Sequence, residues 1–248
     1  MKQVIIQLYS CILAFILLCA AITNYSFKKG LFTCNKYILN TYLYILLTFN
    51  ILALVVSTLE YKKISYELSP LQFFGLFLIS IISIVAMHSI TSKNIVLKHL
   101  VWVIFILSLT ATFYPFYNLF KNNKHLVYSA LTTTLVLFIL LSGVAYLNPN
   151  LIKLSWGPVL LILLIAGILI ELTTLLFFRN IKKDKLSNIL KGLSYVFIVL
   201  FMVFILYDTK RLMLNAKKCV NADYIKESLG LFLDIFNIFV RILSLRVR

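Results

Sequence analysis

Two aspartates stand where an aspartate is expensive to keep. Asp208 closes the apolar run FIVLFMVFILYD, and Asp234 sits in the middle of LGLFLDIFNIFV. A carboxylate at the centre of a membrane helix costs about 2.5–3.5 kcal/mol on insertion scales, so it faces a partner or a water-filled cavity rather than lipid. Asp223, Glu227, Gly230, Asp234, Asn237 and Arg241 follow one another at +4, +3, +4, +3 and +4, which is one stripe of an α-helix. The other faces carry Leu229, Leu231, Phe232, Ile235, Phe236, Ile238 and Phe239. Such a helix either lies on the membrane surface with its stripe in water or turns a polar seam into a bundle. The apolar arc is too wide for a helix lying flat, which favours the inward arrangement.

If Asp208 and Asp234 meet in a bundle, they cannot both ionise cheaply, and they titrate as a unit sharing one proton. That proton acts as a latch. Its loss leaves two like charges that repel, or that a divalent cation neutralises. Calcium takes oxygen ligands, which the two carboxylates and Asn237 supply in part. The expectation is a proton-sensing gate and a weak Ca²⁺ site at Asp208 and Asp234, with Glu171, Asn237, His88 and Tyr207 as candidate supporting residues. Glu171 either accepts a proton beside the pair or sits near lipid headgroups with Arg179. No tightly bound cofactor is expected. Enzymatic readings fare worse. Aspartyl intramembrane proteases also place YD on one helix and an Asp on the next, but their second motif is GxGD. Residues 230–234 here read GLFLD, and the Pro-Ala-Leu motif that normally follows is absent. No H-E-x-x-H, phosphate loop or Ser/His pair points to another hydrolase.

YDT at 207–209, DYI at 223–225 and LFLDIFNIF at 231–239, in that order and spacing, resemble the C-terminal signature of the transmembrane Bax inhibitor motif family. The resemblance covers about residues 36–245. It implies seven core membrane helices and, at the two aspartate positions, a proton-sensitive gate of a calcium-permeable leak. It also implies an endoplasmic reticulum or Golgi-type endomembrane (the plasma membrane in a bacterium), lowered calcium stores and suppressed cell death. The alternative is a non-conducting scaffold that regulates cell death by binding partner membrane proteins. The chain departs from the pattern in two ways. Bacterial relatives carry a basic residue in the second core helix that pairs with the aspartates, whereas residues 70–90 offer only His88 near the end. Lys210 follows YDT where relatives have a neutral polar residue.

The elements that must hold these residues are legible in composition. The chain is 62% hydrophobic and 13% charged, against about 45–50% and 25% in ordinary soluble domains. Eight apolar stretches approach the length that a bilayer requires: about 4–24, 38–59, 70–90, 98–117, 126–147, 156–178, 188–207 and 224–243. The fold class is all-α, a polytopic membrane helical bundle of seven core helices of Bax inhibitor type plus an extra N-terminal hydrophobic helix. Residues 1–33 form that hydrophobic segment, an anchor in preference to a signal peptide, and residues 34–248 form the membrane domain. Pro115 predicts a kink or an early end to its helix. Ser129, Thr132, Thr133, Ser142 and Gly143 suggest close helix contact.

The net charge of +16 comes from 24 Lys+Arg against 8 Asp+Glu. These cations sit in short loops between apolar runs, which suits anionic headgroups and not nucleic acid. With eight crossings the loops split 13 Lys/Arg against 11, so charge asymmetry does not orient the chain. Cys11, Cys19, Cys34 and Cys219 show no metal-ligand spacing, and no disulfide framework is implied. Cys34 and Cys219 read as spectator thiols at the membrane edge, with acylation the lesser option.

Overall fold

The computed structural model describes residues 2–120, 123–177 and 183–246. Among them are eight helices, all long and apolar enough to cross a membrane: α1 (Lys2–Ser26), α2 (Tyr37–Tyr61), α3 (Pro70–Ser89), α4 (Ile95–Asn118), α5 (Lys124–Leu147), α6 (Gly157–Phe177), α7 (Lys183–Lys218) and α8 (Tyr224–Leu245). The expected all-α polytopic architecture is therefore what the chain adopts. In lipid, each backbone N–H and C=O must be satisfied within its own segment, and the helix does this.

Local chemistry sets several boundaries. At the start of α3, Ser69 accepts from the Gln72 N–H and the Gln72 side chain accepts from the Ser69 N–H, with Pro70 in the first turn. This is a capping box with proline where its missing N–H costs nothing. Between α1 and α2, β1 (Phe27–Lys28) pairs antiparallel with β2 (Leu31–Phe32). Lys29 and Gly30 both take positive φ, 53° and 78°, as a two-residue hairpin turn requires.

The helix holding Asp208 runs on beyond the apolar stretch, and the early end considered at Pro115 is not found. DTKRLMLNAKK contains no glycine or proline, and α7 continues through it to Lys218, 36 residues in all. Helix α4 likewise passes through Pro115 and ends at Asn118. Proline leaves the carbonyl four residues back without its helical donor. That carbonyl, on Ala111, accepts the Tyr66 hydroxyl at 3.0 Å.

The chain forms two compact units. The first comprises Met1–Asn122 with Ala216–Phe232, and the second Asn123–Asn215 with Leu233–Arg248. In the first, α1 packs along α2, α3 along α4, and α2 against α4. Its core is aromatic: Tyr224 meets Phe32, Tyr37 and Tyr44 at ring distances of 5.1, 5.3 and 6.1 Å. In the second, α6 lies against α7 through glycine. A Cβ on Gly157 would stand 2.9 Å from the Tyr207 ring, and one on Gly167 would stand 2.9 Å from the Phe197 ring. These are the close approaches that small residues permit in membranes. Gly143 instead has nothing near it, and Thr132 and Thr133 bond back to their own helix. Of that small-polar set, Ser142 does reach another helix, with its hydroxyl 3.5 Å from that of Thr209.

Candidate functional site: an acidic pair with a guanidinium

Asp208 on α7 and Asp234 on α8 both belong to the second unit, and both are buried, at 7% and 5% exposure. Asp208 acts electrostatically on Asp234, and the Arg211 guanidinium acts on both. Arg211 stands one helical turn beyond Asp208, with its Nη1 3.3 Å from the carboxylate. Its own side chain is 40% exposed, so its charge lies nearer the protein surface while the aspartates stay covered. Asp234 is the more isolated acid. Its Oδ2 is buried and has no hydrogen-bond partner among the described residues. A buried carboxylate oxygen without a donor is costly unless it carries a proton or meets a cation.

The candidate supporting residues divide. Tyr207 lays its ring over Gly157 at the start of α6 and so packs two helices. Asn237 donates from Nδ2 to the Leu233 carbonyl, 2.8 Å away on its own helix. Glu171 is held by Arg241 through two bonds of 2.5 and 2.6 Å, and the Arg241 guanidinium lies 4.1 Å from the centre of the Phe197 ring. This answers the question of the Glu171 partner: the cation is Arg241 on α8, from the polar stripe itself. Arg179, the cation considered from sequence, lies outside the described residues. His88 is exposed in the first unit, and its Nδ1 lies 2.9 Å from the Ile84 carbonyl oxygen.

Two features escaped the sequence. Arg211 is one; its signal was the i, i+3 spacing to Asp208, which is a neighbour pair on a helix. The other is Lys98, fully buried in the first unit, where its ammonium donates to the Asp223 carboxylate and to the Ile90 carbonyl, the latter at 2.9 Å. Asp223 thus does two jobs. One oxygen pairs with Lys98, and the other accepts the Lys226 N–H at 3.2 Å to cap α8. Nothing local marked Lys98, because its partner is 125 residues away.

The expectation of four unpaired thiols is overturned. Cys34 and Cys219 form a disulfide, with Cα atoms 5.9 Å apart across 185 residues of chain. Cys11 and Cys19 are free. A cavity of about 570 Å³ opens beside the α2–α3 loop, lined by Tyr66, Glu67, Phe73, Pro115 and Phe116 among others, and neither aspartate lines it.

The family model described as inhibitor of apoptosis-promoting Bax1 matches residues 34–246. The chain belongs to that family. No curated protein matches the sequence. For this Bax inhibitor family member, the match begins at the cysteine that precedes α2 and leaves α1 outside. It takes in both aspartates, Arg211 and the Glu171–Arg241 pair. The protein is a multi-pass membrane protein of Bax inhibitor type.

Proposed function

We propose that the protein is a proton-gated cation leak, calcium being the favoured ion, that lowers calcium stores in an endomembrane and thereby dampens cell death. The single observation carrying this reading is the Asp208–Asp234 pair, two buried carboxylates within electrostatic reach of each other, one with an oxygen that nothing donates to. With one proton shared, the pair and Arg211 sum to zero charge and the site stays shut. When that proton leaves, the site carries a net negative charge in poorly hydrated surroundings and attracts a cation. Two carboxylates fall short of the 6–8 oxygens of a tight calcium site, which suits an ion that passes and does not stay.

The test is calcium flux into liposomes holding the purified protein, measured from about pH 5 to 8, the range over which a shared carboxyl proton can exchange. Flux is expected to rise as the pH rises. Asp208→Asn and Asp234→Asn, which mimic the protonated carboxyl, are expected to stay near the empty-liposome level throughout. Unchanged flux in both variants would reject the gate. Absence of flux from the folded wild-type protein would favour a non-conducting scaffold.

A further inference from the structure

The Cys34–Cys219 disulfide joins the α1–α2 loop to the α7–α8 loop. Disulfides persist in oxidising compartments and are rare on the reducing, cytosolic side. Six helices, α2 to α7, separate the two cysteines. Six crossings is an even number, so both loops return to the same side of the membrane, as the bond demands. The α3–α4 loop comes after two of those crossings, on that same side. There Lys98, one turn into α4, reaches Asp223.

The surroundings of the bond are specific. Thr33, next to Cys34, accepts the Tyr224 hydroxyl through its carbonyl. Asp223, four residues beyond Cys219, caps α8 and holds Lys98. The bond and the Tyr224–Thr33 hydrogen bond therefore close a ring at the first turn of α8, and the Lys98–Asp223 ion pair ties the same turn to α4. Cys34 is exposed, while Lys98 is buried. An external thiol can reach the sulfur without unfolding the core.

We propose that Cys34–Cys219 is a reversible thiol–disulfide exchange site, facing the oxidising side of the membrane and opened by dithiol reductants, whose state sets how firmly the first turn of α8 is held. The thiolate of a dithiol attacks Cys34 Sγ. The S–S bond breaks, and Cys219 leaves as a thiolate and takes a proton. The second thiol of the reductant then attacks the mixed disulfide and releases Cys34 as a thiol. The protein gains two electrons and two protons, and the reductant leaves as a cyclic disulfide. The reverse exchange with an oxidised dithiol closes the clasp. This inference does not depend on ion conduction.

The experiment uses the full-length protein carrying Cys11→Ala and Cys19→Ala, inserted in sealed vesicles of known orientation. A membrane-impermeant dithiol is applied to one face and removed, followed by an impermeant maleimide on that face. The expected result is no maleimide before reduction and two after it, from the non-cytoplasmic face only. Reoxidation should return the count to zero. Hydrogen exchange at the amides of residues 224–228 is expected to quicken at least about tenfold on reduction, because an opened ring loses its local protection. Cys34→Ser/Cys219→Ser should show the fast exchange without reductant; wild-type protein carries the same comparison if that variant fails to fold. Labelling before reduction would overturn the proposal, as would labelling from the cytoplasmic face. Unchanged exchange after complete reduction would also overturn it, by making the bond a passive staple.

Discussion

Asp234 and Glu171 are both acids within apolar helices, yet their surroundings assign them different work. Glu171 has a full partner: Arg241 grips both of its oxygens, and the guanidinium in turn covers the Phe197 ring. A bidentate pair of this kind fixes geometry as well as charge, so Glu171 serves to tie α6 to α8. Asp234 keeps one oxygen without a donor, which is why the proposed gate is placed there. The two roles make different predictions. Glu171→Gln or Arg241→Gln alone strands a partly buried charge and should lower unfolding free energy by about 3 kcal/mol. The double variant should recover most of that loss, since neither charge is then stranded. Thermal melts of the four proteins in one detergent would check the cycle; additive losses would mean the pair does not act as a unit. Asp208→Asn and Asp234→Asn, by contrast, should change flux with little loss of stability.

Helices in this chain are apolar on nearly every side, so their contacts are set by exceptions to that rule. Proline is one. Pro115 frees the Ala111 carbonyl, and Tyr66, from the loop before α3, supplies the missing donor. Tyr66→Phe should therefore cost about 1 kcal/mol, the usual value of one such bond. In a Pro115→Ala background the cost should vanish, because the helix regains its own N–H there; a persistent loss would show that the hydroxyl acts elsewhere. Burial pushes the Tyr66 phenol above its ordinary 10.0. A raised value means the folded state holds the proton more tightly, so this contribution is complete at neutral pH and fades as the pH climbs past 10. Glycine is the other exception. Gly157 and Gly167 let α7 aromatics sit directly on the α6 backbone. Gly167→Ala must displace Phe197, and with it the ring beneath Arg241, at about 1–3 kcal/mol of overpacking.

For the molecule as a whole, charge and grease divide the labour. The apolar helices are long enough to cross a bilayer, and the basic loops are expected to set which lipids the protein prefers. With a net charge of +16 and each surface Lys or Arg worth about 1 kcal/mol against an anionic leaflet, stability should follow lipid composition. Melting temperature is expected to rise as anionic lipid replaces zwitterionic lipid in nanodiscs. Raising salt from about 0.05 to 0.5 M should erase the gain by shortening the screening length. A melting temperature indifferent to lipid charge would place these cations in internal pairs.

The number and position of the membrane helices were determined by sequence alone, because a run of roughly 20 apolar residues has few stable options in a bilayer and each is counted locally. The polar seam of α8 was legible for the same reason: it repeats within one helix. So was the family, from YDT, DYI and LFLDIFNIF. Partners were another matter. Glu171 finds Arg241 across 70 residues, Lys98 finds Asp223 across 125, and Cys34 finds Cys219 across 185. No periodicity links such positions, and the intervening helices, one to six of them and apolar on most sides, leave no pattern to say which faces meet. Only the packed chain decides which cation neutralises which acid, which pair of thiols closes into a cystine, and which carboxylate oxygen is left without a donor.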